Sequence, residues 1–305
     1  MNISVILCTF NRARDLSRAL DSLAASVLPS SCEWEVLVVD NNSTDDTKNV
    51  VDAYCKEHPG RFRYVFEPTP GKSYALNRGI RESHGELLAF LDDDVRVEPE
   101  WLRNLTSPLS DPRWAGVGGR ILPEDGFQKP SWLSTDKAYA LAPLAVFDPE
   151  IPAGKMNDTP FGANMAFPRR AFEKYGNFRC DLGPQPGGAP QKSEDSEFGH
   201  RVLKSGESMR YEPSAVVYHI VPPNRLKKKY FLDWWFDKAR ADVLAFGVPV
   251  RWAIAGIPAV MFRRIIVWTA RWIFGITPAS RFSAKCTVWS LAGSMSECYR
   301  QAKRS

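Results

Sequence analysis

One run of residues, Leu87-Leu88-Ala89-Phe90-Leu91-Asp92-Asp93-Asp94-Val95, constrains this chain more than any other stretch. Apolar side chains lead directly into three consecutive carboxylates. An apolar run that short and unbroken reads as a buried parallel strand. Open α/β sheets hold their ligands beyond the carboxyl ends of the strands, which is where these acids fall. Adjacent aspartates repel one another, so a countercharge is expected. Mg2+ or Mn2+ is the first candidate, because hard cations take carboxylate oxygens and share their coordination with substrate phosphates. An acidic turn before a helix opened by Glu98-Pro99-Glu100 is the plainer alternative.

The flanking segments repeat the pattern of strand, polar loop and helix. Ile3–Phe10 reads as a strand, followed by Asn11 as N-cap and by Leu16, Ala19, Leu20 and Leu23 at helical spacing. Trp34–Val39 is a second strand, closed by Asp40 and by a Ser/Thr/Asp loop suited to cap the next helix. Phe62–Phe66 is a third, a helix follows over 73–83, and Ala115–Ile121 is a further strand. Such alternation predicts a mostly parallel sheet with helices on both faces. Residues 122–159 lose the pattern and read as an insertion or lid. Gly183–Pro190 reads as a second loop, leading into a helix opened by Ser193-Glu194-Asp195. Met209–Pro213 and Ala215–His219 complete the body.

At 305 residues the chain accommodates one large α/β domain with an appendage. The six cysteines are scattered without a C-x-x-C pair, as expected of reduced thiols rather than disulfides or a zinc site. The N-terminus shows no secretory signal, so a cytoplasmic protein is expected. The net charge of +5 is divided unevenly: residues 221–305 carry 15 Lys/Arg against 4 Asp/Glu, a net of +11, and the remainder carries −6. A basic tail on an acidic body faces something anionic. Within the tail, 230–246 is helical. Trp252–Ile276 is the most apolar stretch, but Pro258, Arg263, Arg264 and Arg271 interrupt it, so it is no spanning helix. Its Trp, Phe, Ile and Arg mixture fits a helix lying among lipid head groups, or else a buried helical subdomain. An anionic membrane surface is the expected partner, and nucleic acid is not. The predicted division is therefore 1–220 for the α/β domain and 221–305 for the tail, peripheral at the inner face of the cell membrane.

Five motifs stand in a fixed order: Val5–Arg12, Val38–Asp45, Pro70–Asn77, Phe90–Asp94 and Glu194-Asp195. Together they resemble a family 2 glycosyltransferase of the GT-A fold, of the non-processive bacterial type, over roughly residues 1–220. The GT-A fold is a Rossmann-like α/β sheet, in agreement with the pattern above. The resemblance implies a metal-dependent, hexosyltransferase-like enzyme of polysaccharide biosynthesis. It would invert the sugar as it moves one residue from a nucleoside diphosphate donor to an acceptor hydroxyl. The donor would be UDP-linked first, GDP- or dTDP-linked as alternatives. The acceptor would be a lipid-linked or cell-surface glycan, and Mn2+ or Mg2+ the cofactor.

The resemblance also assigns residues. Asp92 and Asp94 form the D-x-D pair, with Asp94 on the metal, Asp92 on the metal or ribose, and Asp93 sharing either role or supporting the turn. Thr9, Asn11 and Asp40 surround the nucleoside, with capping of the following helix the lesser alternative for Asp40. Lys72 meets the nucleotide or is merely solvated. Gly71-Lys72-Ser73 is no P-loop, because Phe66 stands where that motif needs glycine. Asp195 is the base that deprotonates the acceptor, and Glu194 binds or orients it. The alternative for this pair is two first-turn acids favoured by the helix dipole. His219 would complete the metal shell or be a satisfied structural histidine. Gly162 and Asn164 would line the acceptor side, and Arg225–Lys229 would approach a phosphate. Processive relatives carry a Q/R-x-x-R-W motif; here Trp268 stands at its first position before Arg271-Trp272, so a single transfer is expected. Two other classes remain. One is a nucleotidyltransferase-like sugar-nucleotide enzyme, which would need a glycine-rich loop where Thr9–Arg12 stands. The other is a non-catalytic membrane-docking module on the same fold.

Overall fold

A computed structural model describes residues 2–134, 139–184, 193–248 and 252–303. The chain forms two compact units. The first comprises Met1–Glu124, Ala145–Pro186 and Glu194–Ile220. In order, its elements are β1 (Asn2–Thr9), α1 (Ala13–Ala24), β2 (Glu33–Asp40), α2 (Thr47–Glu57), β3 (Phe62–Phe66), α3 (Lys72–Glu82), β4 (Leu87–Asp92), β5 (Val95–Val97), α4 (Trp101–Thr106), β6 (Trp114–Pro123), β7 (Gly154–Lys155), β8 (Asn164–Pro168), α5 (Arg169–Tyr175), α6 (Glu194–Lys204) and β9 (Ser208–His219).

Among the described residues these strands form a nine-stranded sheet ordered β3-β2-β1-β4-β8-β6-β9-β5, with β7 also paired to β9. Strands β3, β2, β1, β4, β6 and β9 run one way, and β8, β5 and β7 the other. The sheet is thus mostly parallel, as the alternation predicts. Strands β1, β2 and β4 are buried almost throughout, which is why their sequences are unbroken Val/Ile/Leu runs rather than alternating patterns. Helix α3 packs on β1 and β2, α1 on α2 and β5, and α4 on β9.

Register places the chemistry. Thr9 pairs with Asp40, and Cys8 with Asp92, so three polar residues end their strands along one sheet edge. Only Asp93 and Asp94 separate β4 from β5, yet β4 lies inside the sheet and β5 at its end. From Asp92 to Val95 an extended chain reaches roughly 11 Å at most. The sheet must therefore curl until its β9 edge stands beside the end of β4, and Val95 pairs with His219.

The second unit comprises Asp125–Leu144, Gly187–Ser193 and Val221–Ser305. It holds α7 (Lys228–Phe246), the short hairpin β10 (Ala253–Ile254) and β11 (Ile257–Pro258), α8 (Ala259–Phe274) and α9 (Pro278–Ala302). Thr277 caps α9 with a reciprocal capping box: Ser280 N–H donates to its Oγ1 at 3.1 Å, and Ser280 Oγ accepts from Thr277 N–H at 3.2 Å. Helices α7 and α9 touch closely at Gly293, where a Cβ would lie 2.2 Å from the Phe236 carbonyl oxygen. Glu297, fully buried on α9, accepts from Arg300 at 2.8 Å and lies 3.5 Å from Arg240. Trp132 stands edge-on to Phe231 and Phe282, with centroids 5.3 and 4.6 Å apart. Helix α8 buries only Met261. No helix among the described residues is long and apolar enough to cross a membrane. The segment expected to be an insertion or lid is shared: Asp125–Leu144 belongs to this unit and the rest to the sheet.

Candidate active site

Loops after β1 and β2 lock together at the sheet edge. Asn11 is not a helix cap. It sits in the left-handed region at φ 51°, which asparagine tolerates better than most residues. Its Oδ1 accepts from Thr44 N–H at 2.7 Å, and its own N–H donates to Ser43 Oγ at 2.9 Å. The first turn of α1 is met instead from across the loop, where Asp45 Oδ2 accepts from Ala13 N–H at 3.0 Å. Asp40 is buried and does not cap α2. Its Oδ1 accepts from Ser43 N–H at 2.9 Å and its Oδ2 from Tyr64 Oη–H at 2.8 Å. Burial, with the Asp40 carboxylate beside it, pushes the Tyr64 phenol up, so that it stays a donor. Neighbouring Asn41 fastens the next loop, accepting from Gly71 N–H at 2.7 Å and donating to the Thr69 carbonyl at 2.7 Å.

The acids of β4 face two cations. Lys72, at the start of α3, donates to Asp92 Oδ1 at 2.6 Å and lies 3.9 Å from Glu194 Oε1. Burial opposes its charge, but Asp92 and Glu194 outweigh that and raise its pKa. Arg12 donates to Asp94 Oδ2 at 3.1 Å and lies 3.9 Å from Asp93. His219 Nε2 stands 3.3 Å from Asp94 Oδ1. Asp93 is pushed up to about 7 by burial and by the charge of Asp94, with Arg12 opposing. Burial and adjacent negative charge thus both oppose ionisation of Asp93 at this corner.

Helix α6 brings the second pair of acids. Stacked Phe172 and Phe198, 4.5 Å apart, with Phe198 edge-on to Phe167 at 5.0 Å, fix this helix to α5 and β8. That clamp sets the first turn. Asp195 is held by two backbone donors, Gly162 N–H to Oδ2 at 2.8 Å and Ser196 N–H to Oδ1 at 2.7 Å. A side chain at position 162 would crowd Asp195, its Cβ 3.2 Å from Oδ2. Glu194 is buried, and its pKa is raised to about 7 by burial and then by Asp195. Gly183, at φ 91°, passes so near that a Cβ would lie 2.8 Å from Ser73 Oγ and 3.4 Å from the Glu194 carboxyl.

The fold thus gathers Thr9, Asp40, Lys72, Asp92, Asp93, Asp94, Glu194 and His219 at the carboxyl edge, with Asp195 beside Gly162. Asn164 does not line it. Fully buried, it accepts from Trp101 Nε1–H at 2.8 Å and donates to the Arg120 and Ala215 carbonyls at 2.9 Å each, so its amide is spent inside the core. Arg12 and Asn41 belong to the site, although the sequence singled out neither for a role. Most of the Gly183–Pro190 loop lies outside the described residues. Among the described residues no three His, Cys, Asp or Glu side chains converge as a ready-made metal cage.

Comparison with known proteins agrees with this geometry. A family model described as Glycosyl transferase family 2 matches residues 4–176. The succinoglycan biosynthesis protein ExoM of Rhizobium meliloti is 29% identical over 261 residues, covering 84% of this chain and 80% of ExoM. A glucosyl-dolichyl phosphate glucuronosyltransferase of Haloferax volcanii is 23% identical over 253 residues, covering 80% of this chain and 78% of that one. Among solved structures, a mannosyltransferase of Pyrobaculum calidifontis in complex with GDP-Man and Mn2+ shares the fold, with a TM-score of 0.60 at 22% identity, over 99% of this chain and 75% of that one.

Proposed function

The chain belongs to glycosyltransferase family 2, and from that premise we propose that it transfers one sugar, with inversion, from a nucleoside diphosphate donor to a hydroxyl of a lipid-linked glycan. The observation that carries the reading is the meeting of two acid pairs across one cation: Lys72 lies 2.6 Å from Asp92 and 3.9 Å from Glu194. A donor diphosphate beside the β4 acids and an acceptor beside the α6 acids would then share one lysine.

The residues suit each task. Asp40, fixed by Ser43 and Tyr64, offers a buried carboxylate to nucleoside N–H or O–H groups. Asp195, immobilised by Gly162 and Ser196, takes the proton of the acceptor hydroxyl as its oxygen bonds to the anomeric carbon. The bond from that carbon to the diphosphate breaks on the opposite face, and the configuration inverts. Lys72 and Arg12 place positive charge near the departing diphosphate. Glu194, buried against Lys72, orients the acceptor and holds the lysine. A bound divalent cation would supply further stabilisation of the leaving diphosphate. Asp92 and Asp94 would hold it, with His219 beside Asp94. The donor set fits: adjacent carboxylates at a buried corner are hard oxygen ligands, and Mg2+ or Mn2+ is commonly held by one or two carboxylates plus substrate phosphates rather than by a complete protein cage.

The neighbour bound to GDP-Man and Mn2+ supports a nucleotide sugar and a metal, and the dolichyl phosphate-linked acceptor in a relative's name supports a lipid carrier. We place the protein at the inner membrane face, its basic tail on anionic lipid. Donor hydrolysis across UDP-, GDP- and dTDP-sugars, with and without EDTA, tests the core of the reading. Turnover of one donor that stops in EDTA and returns with Mn2+ is expected; metal-independent turnover, or none with any donor, would overturn it.

A further inference from the structure

The helical unit contains a cavity of about 1160 Å³. This exceeds the roughly 300–1,000 Å³ usual for small-molecule sites. Its walls come from all three helices: Phe231 and Trp235 on α7, Trp268 and Phe274 on α8, and Phe282 on α9. Two of the hydroxyls along the α9 wall are turned to other uses. Thr287 Oγ1–H donates to the Ser283 carbonyl at 3.1 Å, and Ser280 Oγ–H to the Thr277 carbonyl at 2.9 Å. These side chains therefore present carbon more than donors to the cavity, and its surface is chemically apolar.

Two lining residues mark the mouth. Phe274 is 80% exposed and Ile276 is 98% exposed, although both border the cavity. Large apolar side chains left in water at the rim of an apolar hole are costly unless something apolar reaches past them. Among the described residues, Arg271 is the charged residue on the lining, with its guanidinium over the Trp268 ring at 4.6 Å, and no described acid lines the cavity. The surrounding tail segment carries the +11 excess. A cavity that is apolar within and cationic at its mouth is complementary to a long hydrocarbon chain on an anionic head.

We propose that this cavity holds the hydrocarbon chain of a polyprenyl phosphate lipid, the carrier of the acceptor glycan, with Arg271 beside its phosphate. The inference rests on the reading of a lipid-linked acceptor but is tested by binding alone. Trp235 and Trp268 report on occupancy through their fluorescence. Full-length protein in detergent is titrated with a long-chain polyprenyl phosphate, with citronellyl phosphate as its short-chain counterpart, with the uncharged polyprenol and with phosphatidylglycerol. Saturable binding of the long chain is expected, with the short chain weaker by at least about tenfold because each buried CH2 contributes to affinity. Ala270→Trp, at an exposed lining position, should weaken the long chain about tenfold without altering the melting temperature; Thr287→Phe repeats the test from the opposite wall. Arg271→Gln should weaken the phosphate but not the polyprenol. Equal affinity for long chain, short chain and phosphatidylglycerol, unmoved by either filling variant, would show surface adsorption and overturn the proposal. So would absence of binding; if donor hydrolysis persisted, the glycosyltransfer reading would survive it.

Discussion

At the scale of single residues, Asp195 and Glu194 are neighbours with different surroundings and different expected phenotypes. Asp195 is held by two backbone donors and contributes nothing large to the core. Asp195→Asn keeps one of the two acceptor oxygens, replaces the other with an NH2 donor, and cannot take a proton. Transfer should fall by about 10²–10⁴-fold, the usual worth of a general base, while the melting temperature and donor affinity stay close to wild type. Steady-state transfer and a thermal melt check this, and unchanged transfer would favour a non-catalytic module. Glu194 is the opposite case. Its folded pKa, about 7, lies above the ordinary 4.5 because burial disfavours the charged form. A raised pKa stabilises the fold below the unfolded value, and that contribution is lost as pH rises through about 7. Glu194→Gln removes this loss. The variant should melt higher than wild type at pH 8 and converge with it below about pH 5, by differential scanning fluorimetry across pH. A difference that grew toward acid would contradict the burial argument. The acids were legible in the sequence because three adjacent aspartates after an apolar run have few ordinary explanations. Arg12 was not, because its partners lie across the sheet at Asp93 and Asp94 and no local spacing announces the pairing.

At the scale of elements, legibility follows how a strand is buried. Strands β1, β2 and β4 pack on both faces, so their sequences are continuous apolar runs that could be read directly. The other half of the sheet hides its order. Strand β8 enters antiparallel between β4 and β6, and the curl that brings His219 to Asp94 depends on the two-residue link to β5. Helix α9 escaped the sequence reading because its small and polar residues leave no clear apolar stripe, although Thr277-Pro278-Ala279-Ser280 was a usable start signal: an N-cap threonine with proline at the first helical position. Asn164 shows how a motif residue can be misread. Its place beside Gly162 implied contact with acceptor, yet it ties α4, β6 and β9 together through three hydrogen bonds while fully buried. Asn164→Leu removes the acceptor of the Trp101 indole and one donor from each of two carbonyls, and a buried polar group left unsatisfied costs about 1–3 kcal/mol. A loss of several kcal/mol in denaturant unfolding is expected. A loss below about 1 kcal/mol would mean that water or another group replaces the amide.

At the scale of the whole molecule, charge and apolar surface are distributed unevenly along the chain. Helix α8 exposes Val260, Ile266, Val267, Ile273 and Phe274 together with Arg263, Arg264 and Arg271. Exposed alone, that apolar surface would be an aggregation liability. Interleaved with arginine, it has the character of a helix that lies among lipid head groups, and none of the described helices qualifies to cross them. Two forces then add. On an anionic membrane, apolar side chains would enter the head-group boundary, and each basic residue near the surface would gain about 1 kcal/mol, falling off within a Debye length of roughly 10 Å at 0.1 M salt. Full-length protein should therefore float with vesicles containing phosphatidylglycerol, far less with purely zwitterionic ones, and progressively less as salt rises. Replacing Arg263, Arg264 and Arg271 together by glutamate should cost at least about 3 kcal/mol, or about a hundredfold in partitioning. These residues belong to the helical unit and none is among the residues of the candidate site, so donor hydrolysis in solution should be unaffected by the triple change. If the wild-type chain stayed at the bottom of the gradient with anionic vesicles at low salt, the exposed face of α8 would need a protein partner instead. Flotation that the triple variant retained at every salt concentration would shift the contact to the apolar side chains alone.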